Sequence, residues 1–431
     1  MANCHRRLAR IKHTLLSYLL GLRARLGSGC LLALGAAVLV ISSGNLMSAQ
    51  STDKFRKARL NMVDQVIAPE GITNTAVLDS MRQVPRHMFV PADLREQGYA
   101  DHAIPIGHKQ TISPPYIVAY MTQALDPQPT DSVLEIGTGS GYQAAILSNI
   151  VKEVYTIEIV EPLGTKAAKR LKELGYKNVH ALVGDGFKGW PEHAPFDRII
   201  VTCSPESVPQ PLVEQLREGG RMIIPLGERY QQVFYLFEKR NGELVKTQLV
   251  PTLFVPMTGR SEEERKIKPD PANPAVRNGG FELDTKKDGH PDNWHYQRQL
   301  TVEHDDPPEG NSFVTVRNSE KGRTAQALQG MALDGRVVGQ VHMSLSVKGK
   351  QVGPGNARWE RAALFIHFFD SDRKRIGEAH LGPWEGTFNW KRESADLDVP
   401  IACREAIIQV GLNGGTGELS IDDVQLKGKL R

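Results

Sequence analysis

The first 52 residues of this 431-residue chain contain no aspartate or glutamate, although the whole chain has 49. No unbroken apolar run reaches the ~20 residues that a spanning helix needs, which excludes a polytopic membrane protein. Four cysteines are too few for a disulfide-dense scaffold. A large surplus of either charge is also missing. Lys+Arg 53 against Asp+Glu 49 leaves +4, so no broad nucleic-acid footprint is implied and no nucleic-acid partner is expected. With 40% hydrophobic and 24% charged residues, wholesale disorder and collagen are excluded. At ~100–200 residues per domain, the length implies two or three domains.

The missing acids at the N-terminus are answered by bases: Arg6, Arg7, Arg10, Lys12, Arg23 and Arg25. An apolar stretch from Cys30 to Ile41 follows, then small residues near Ser48 and Ala49. This pattern reads as an export signal. The apolar stretch Leu15–Leu22 leaves an uncleaved anchor open; in either case the basic end stays cytoplasmic. A buried globular helix is the competing reading, and the run lacks the polar face it would need. Subtracting these six bases from +4 leaves −2 for the rest of the chain. Cys4 and Cys30 fall in this segment. Cys203 and Cys403 are expected to be buried small hydrophobes rather than a bridge.

Residues 53–130 are mixed and polar, with helical patterning around Phe55–Gln65 and Thr75–Met81. From residue 131 strands and helices alternate. Ser132–Ile136, Glu153–Val160, Val179–Val183, Arg198–Thr202 and Arg221–Pro225 read as strands, and Tyr142–Ser148 and Glu161–Leu174 as helices. That order implies a parallel, doubly wound α/β sheet. Gln232–Glu238 and Leu244–Pro256 read as a closing antiparallel pair. Ser261–Pro274 has the charged, proline-rich composition of a solvated spacer. After Val276 the texture is all-β, with strands at Val341–Val347, Ala363–Phe369, Ala406–Leu412 and Leu419–Leu426. The expected domains are therefore 1–50 (signal or anchor), 51–260 (α/β), 261–275 (linker) and 276–431 (β-sandwich).

Three strand ends carry the chemistry. Glu135-Ile-Gly137-Thr-Gly139-Ser140-Gly141 ends one strand and opens a helix, where glycines permit a tight turn and close ligand approach. The third glycine comes one residue early for a dinucleotide loop. A carboxylate facing the loop suits a cationic amino-acid group better than a phosphate. Glu158 ends the second strand, placed to bind both ribose hydroxyls. Asp185, beside Gly186, ends the third, placed to accept from an adenine amine. Together they suit S-adenosylmethionine better than NAD. The plain alternative is a glycine turn with solvated carboxylates, and three coincident strand ends weigh against it.

Several longer motifs stand in order: Met62-Val-Asp-Gln65, Val84-Pro-Arg-His-Met-Phe-Val-Pro91, Gln110-Thr-Ile-Ser-Pro-Pro-Tyr-Ile-Val118, Val133–Gln143, Gly184-Asp-Gly186 and Ala194-Pro-Phe-Asp197. From about Phe55 to Thr258 the chain resembles protein-L-isoaspartate O-methyltransferases. The resemblance implies a Rossmann-like, S-adenosylmethionine-dependent methyltransferase. It would esterify the free carboxylate of L-isoaspartyl residues in damaged proteins, and the ester's collapse to a succinimide begins repair. It also implies that Ser113 positions the reacting carboxylate and that Thr111 and Ile112, with Gln110, cover the cofactor. Thr258 would then lie near substrate and cofactor. Pro114, Lys109 and Thr202-Cys-Ser204 depart from the family pattern. His87 reads equally as a base or as a structural hydrogen-bonding residue.

Asn278-Gly-Gly-Phe-Glu282, Pro291–Trp294 and Ile421–Leu426 resemble carbohydrate-binding modules of the galactose-binding-like jelly-roll type. That resemblance implies structural calcium between Glu282 and Asp423. It also implies a glycan partner stacking on Trp359, Trp384 or Trp390, for which core filling is the alternative.

The favoured reading is an exported or anchored isoaspartyl methyltransferase with an appended sandwich; the family alone would suggest the cytoplasm. The alternatives are a non-catalytic glycan or protein binder on the same fold, or a methyltransferase for another carboxylate. The chain's own Asn-Gly pairs at Asn241, Asn278 and Asn413 are expected to age into substrate.

Overall fold

The apolar runs read as alternating strands and helices build one seven-stranded sheet. The computed structural model describes residues 55–431, so the expected export segment, with Cys4 and Cys30, lies outside the described residues. The chain divides into two units, Met1–Ala58 and Arg59–Arg431, and everything below concerns the second. Helix α1 (Thr75–Gln83) begins where Asn74 Oδ1 accepts the Val77 N–H at 3.2 Å. A hairpin of β1 (Ile104–Gly107) and β2 (Gln110–Ile112) follows, then helix α2 (Pro115–Leu125). Pro115 opens α2, where a missing N–H is no loss.

The sheet contains β3 (Ser132–Ile136), β4 (Glu153–Glu158), β5 (Val179–Val183), β6 (Phe196–Val201), β7 (Leu216–Glu228), β8 (Gln231–Arg240) and β9 (Glu243–Thr252). Its spatial order is β5-β4-β3-β6-β7-β8-β9. The first five strands are parallel and the last two antiparallel. Helices α3 (Tyr142–Ser148), α4 (Glu161–Glu173) and α5 (Gln210–Gln215) follow β3, β4 and β6. Val133 through Ile136 are all buried, as a central strand covered on both faces requires. Helix α4 buries Leu163, Gly164, Ala167 and Leu171 and turns Lys166, Lys169 and Lys172 outward. Beyond β3 the chain winds first to one side and then, with β6, to the other. A crevice opens at such a reversal, outside the carboxyl ends of the strands.

The C-terminal region holds β10 (His295–Arg298), β11 (Leu300–Glu303), β12 (Phe313–Asn318), β13 (Gln326–Ala332), β14 (Val338–Gly353), β15 (Ala363–Phe369), β16 (Arg375–Leu381), β17 (Gly386–Asp398), β18 (Glu405–Gly411) and β19 (Thr416–Leu430). They form two five-stranded antiparallel sheets, β10-β13-β18-β15-β16 and β11-β12-β19-β14-β17. Val341, Leu345, Ile366, Ile408 and Ile421, drawn from both sheets, share one apolar core with Trp294. The four strands expected here are present, with β14 and β19 longer than expected.

The stretch 261–275 is mostly exposed, as a spacer would be, but one of its residues anchors it to the α/β part. Arg265 is buried and donates to Gly227 O at 3.0 Å, Ser204 O at 2.9 Å and Glu262 Oε2 at 2.8 Å. Its five donors let it reach two backbone carbonyls and a carboxylate at once, sharing Ser204 O with the Met257 N–H. The C-terminal sheets are also fixed directly to the α/β part. Tyr230 O–H donates to Glu405 at 3.0 Å, Tyr296 O–H donates to Asp101 O at 2.9 Å, and Arg277 pairs with Glu228 at 2.9 Å. His295 is buried at this seam with Nε2 3.0 Å from Tyr230 O, and burial lowers its pKa to about 4.

All three Asn-Gly asparagines lie in the left-handed region, with φ of 54° at Asn241 and 49° at Asn278 and Asn413. Two are locked. Asn413 Nδ2 donates to the carbonyls of Arg361, Ala363 and Gly411, and Asn278 Nδ2 to those of Leu283 and Asp292. Asn241 is exposed in the β8–β9 turn. On storage, deamidation is therefore expected at Asn241 before Asn278 or Asn413. Peptide mapping of aged protein checks this, and equal damage at all three would contradict it.

Candidate functional site

The crevice at the carboxyl ends of β3, β4 and β6 encloses about 820 Å³, counting its open mouth. Its lining brings together Thr111, Ile112, Ser113, Glu135, Gly137, Gly139, Ser140, Glu158, Gly186 and Thr258, the residues expected around cofactor and acceptor save one. The exception is Asp185, which the crevice lining does not include. Its Oδ1 caps the Phe187 N–H at 3.0 Å and its Oδ2 accepts the Arg260 N–H at 3.3 Å. A short carboxylate at a turn is readily captured by the backbone N–H groups that follow it.

Glu135 is fully buried. Thr156 O–H donates to its Oε2 at 2.6 Å and in turn contacts Thr138 Oγ1 at 2.6 Å. Oε1 is buried with no hydrogen-bond partner. Burial pushes the carboxyl up to about 8 against the Thr156 hydrogen bond, and the nearby Glu158 charge adds to the rise. An orphaned carboxylate oxygen lining a crevice is a receptor for a cation that donates hydrogen bonds. Glu158 accepts from Gly139 N at 2.7 Å through Oε2 and from Val160 N at 2.9 Å through Oε1. Each oxygen keeps a second lone pair, so the group can still accept from hydroxyls.

Backbone approach is close here. Gly137 has φ 101°, and a Cβ on it would meet Thr202 Oγ1 at 2.5 Å, a hydroxyl that donates to the carbonyls of Ile136 and Gly137. A Cβ on Gly186 would meet Ile136 Cγ2 at 2.4 Å.

Ser113 lies between β2 and α2. Its carbonyl accepts from Arg86 Nη2 at 2.7 Å, and Arg86 Nε donates to Gly98 O at 2.8 Å. Arg86 is fully buried, 4.7 Å from the centre of the Tyr142 ring. Asp101 Oδ1 accepts the Tyr116 N–H at 2.9 Å, fixing the first turn of α2. Thr258 is set by a short parallel bridge, in which Ser204 N donates to Val255 O at 2.8 Å and Met257 N to Ser204 O at 3.0 Å. Sequence reasoning missed Thr156 and Arg86. Arg86 stood inside a motif already singled out, and an arginine within an otherwise apolar run is the available signal. His87 lies outside the crevice lining, 2.7 Å from Tyr99 Oη, the structural role of the two considered. Cys203 lines the crevice as a free thiol, its pKa raised by burial and by the surrounding carboxylates, and Cys403 is free and buried.

The calcium expectation is corrected. Asp423 turns to Arg392 and Gln425 instead of Glu282, and Glu282 Oε1 accepts the N–H groups of Asn311 and Ser312. The carboxylate beside Glu282 is that of Asp422; the β14–β19 register shifts here and Asp423 has φ 45°, so a bulge in the strand turns Asp423 aside. Among the described residues no group of three or more His, Cys, Asp or Glu side chains is arranged to hold a metal. Of the three tryptophans, Trp384 is core, Trp390 packs edge-on to Phe313 and Trp359 is 73% exposed.

Gly137→Ala is expected to destabilise the protein by more than ~1 kcal/mol, from positive φ and the Thr202 clash together. Thermal denaturation checks this, and an unchanged melting temperature would contradict the close approach.

Residues 57–262 match the family model for protein-L-isoaspartate(D-aspartate) O-methyltransferase. The chain is 54% identical over 209 residues to the protein-L-isoaspartate O-methyltransferase of Opitutus terrae, covering 47% of this chain and 90% of that protein. It is 50% identical over 206 residues to that of Dictyoglomus turgidum, covering 48% and 93%. A Plasmodium falciparum protein of the same methyltransferase class, solved with S-adenosyl-L-homocysteine, is 26% identical with a TM-score of 0.41, over 46% of this chain and 98% of that one. With nine-tenths of two relatives covered at half identity or better, this chain belongs to the protein-L-isoaspartate O-methyltransferase family.

Proposed function

We infer that the chain is a protein-L-isoaspartate O-methyltransferase that methylates the free carboxylate of isoaspartyl residues, using S-adenosylmethionine. The observation that carries the reading is the buried, unpartnered Oε1 of Glu135 at the end of β3. When bound, the cofactor supplies a methyl group on a sulfonium, an electrophile for a carboxylate oxygen. Glu135 would hold its ammonium group, Glu158 its ribose hydroxyls, and Gly137, Gly139, Ser140 and Gly186 the close backbone contacts. Asp185 would have to share a carboxylate already committed to two N–H groups before it could accept from the adenine. Thr111 and Ile112 would cover the site, Ser113 would orient the acceptor and Thr258 would border it. An acceptor carboxylate is ionised at neutral pH and is itself the nucleophile, so alignment and exclusion of water suffice without a base. No observation favours a non-catalytic scaffold or a different acceptor.

Residues 51–260 are proposed as the catalytic domain and 276–431 as a galactose-binding-like sandwich, joined by 261–275. Residues 1–50 are proposed to export or anchor the protein. Among the described residues no helix is long and apolar enough to cross a membrane.

The direct test incubates the full chain with labelled S-adenosylmethionine and an isoaspartyl peptide beside its aspartyl twin. Label is expected on the first alone; equal or absent labelling overturns the reading. Cofactor affinity should also depend on pH. Glu135 holds its proton below about 8, so a proton must leave before a cation is bound. Between about pH 6 and 7.5, where an amino group stays mostly charged, affinity is expected to rise with pH, toward a limit of ~tenfold per unit. Glu135→Gln should weaken binding and flatten that slope. Calorimetry in two buffers would detect the released proton, and a slope unchanged in the variant would refute the assignment.

A further inference from the structure

A second cleft, larger than the first at about 2120 Å³ by the same measure, lies between the α/β part and the sheet β10-β13-β18-β15-β16. One wall is the segment Gln97–His102; the other carries Arg298, Arg361, Phe365, His367 and Trp359. Phe365, itself buried, and the half-buried His367 alternate along β15 with the core residues Ile366 and Phe368, so their rings share the cleft side of the sheet, 11° from parallel.

The cleft is lined by charges of both signs, Asp101 and Glu360 among them, and two of its arginines stand without an ion pair among the described residues. Arg323 is paired with Glu70 at 2.9 Å and Arg375 with Glu378. Among the described residues, neither Arg298 nor Arg361 has a carboxylate within ion-pair distance. Arg298 is more than nine-tenths buried, and its Nη2 has no hydrogen-bond partner; Arg361 Nε is likewise buried and unpartnered. Arg298 Nη1 donates to Gln297 O at 3.0 Å and the guanidinium stacks on Tyr116 and Tyr296, which leaves Nη2 as its open donor; a buried guanidinium N–H without an acceptor can receive a carboxylate oxygen.

The cleft also adjoins the acceptor site. Arg298 stacks 3.7 Å from the centre of the Tyr116 ring, and Tyr116 follows Ser113 by three residues. Asp101, in the cleft wall, holds the Tyr116 N–H, and Gly98 at the same wall holds Arg86, which holds Ser113. Val118 of the first turn of α2 lines the crevice, and Arg298 of the cleft stacks on Tyr116 of the same turn. A polymer whose damaged residue reaches Ser113 has its flank within reach of Arg298.

We propose that this cleft binds an acidic flanking segment of the damaged polypeptide, with Arg298 and Arg361 receiving its carboxylates and the Trp359, Phe365 and His367 rings its apolar groups. This rests on the isoaspartyl methyltransferase reading above. It gives the C-terminal region a part in substrate selection.

The test compares two isoaspartyl peptides of equal length, one with acidic and one with neutral residues beyond the damaged position, together with a short peptide lacking a flank. The full chain is expected to show a KM at least about fivefold lower for the acidic peptide. Arg361→Gln should abolish that preference and leave kcat and KM for the short peptide within twofold. Arg298→Lys, which keeps charge but loses the planar fork, should reduce the preference only in part. No preference in the parent chain, or a preference that survives Arg361→Gln, overturns the proposal. If no peptide is methylated at all, the activity reading fails, and the cleft is judged by binding alone. The acidic aspartyl twin should then change a fluorescence signal that is lost in Trp359→Phe. A neutral oligosaccharide giving that signal where the peptide gives none would overturn the proposal in favour of a glycan.

Discussion

Glu135 takes a hydrogen bond on one oxygen from Thr156 and meets no partner on the other, which is buried at the floor of the crevice. Such a carboxyl is tolerated only because the fold holds it there, between two strands buried on both faces. Its neighbours follow from that position. The loop after β3 must turn sharply to leave the oxygen accessible, which requires glycine at Gly137 under the Thr202 hydroxyl. Glu158 on the next strand draws the Gly139 N–H back toward the sheet and so shapes the loop's far side. Without a buried carboxyl at this point, the crevice would be a glycine turn between two parallel strands.

The acceptor side is held by a different device. Arg86 spans from the Gly98 carbonyl to that of Ser113, and Asp101 pins the helix that begins two residues after the serine. These contacts are made by charged groups to backbone atoms, which gives them direction that apolar packing lacks. Pro114 and Pro115 add stiffness to the same short stretch. The loop is therefore set before any ligand arrives.

Much of this was legible in the sequence, and the misses have physical reasons. Strand periodicity placed Glu135, Glu158 and Gly186 at strand ends, and parallel topology then brought those ends together. Thr156 was not legible, because an interior threonine in a strand looks like any β-former until its hydroxyl is seen on Glu135. Asp185 was placed at the right strand end, yet the backbone N–H groups beyond it claim both its oxygens. The choice of Asp423 over Asp422 failed at a β-bulge, where regular alternation no longer tells which carboxylate faces Glu282. Strand β17 escaped notice because it alternates without a buried apolar face, and its residues are mostly exposed. The spacer reading did not foresee the buried Arg265, since composition cannot reveal which carbonyls lie within reach of a long side chain.

The seam between the α/β part and the C-terminal sheets, with Tyr230, Tyr296 and the buried His295 crossing it, bears on how an appended module can act. A module on a loose tether raises the local concentration of whatever it captures, over a volume set by tether length. A module docked through buried side chains cannot do this, because it presents one span and one angle. A bound chain must fit that fixed geometry with both of its contact points or lose one of them. For the proposed two-point grip, the appended sheets would be a jig rather than a leash, and slack in the target, not in the enzyme, would decide whether both points engage.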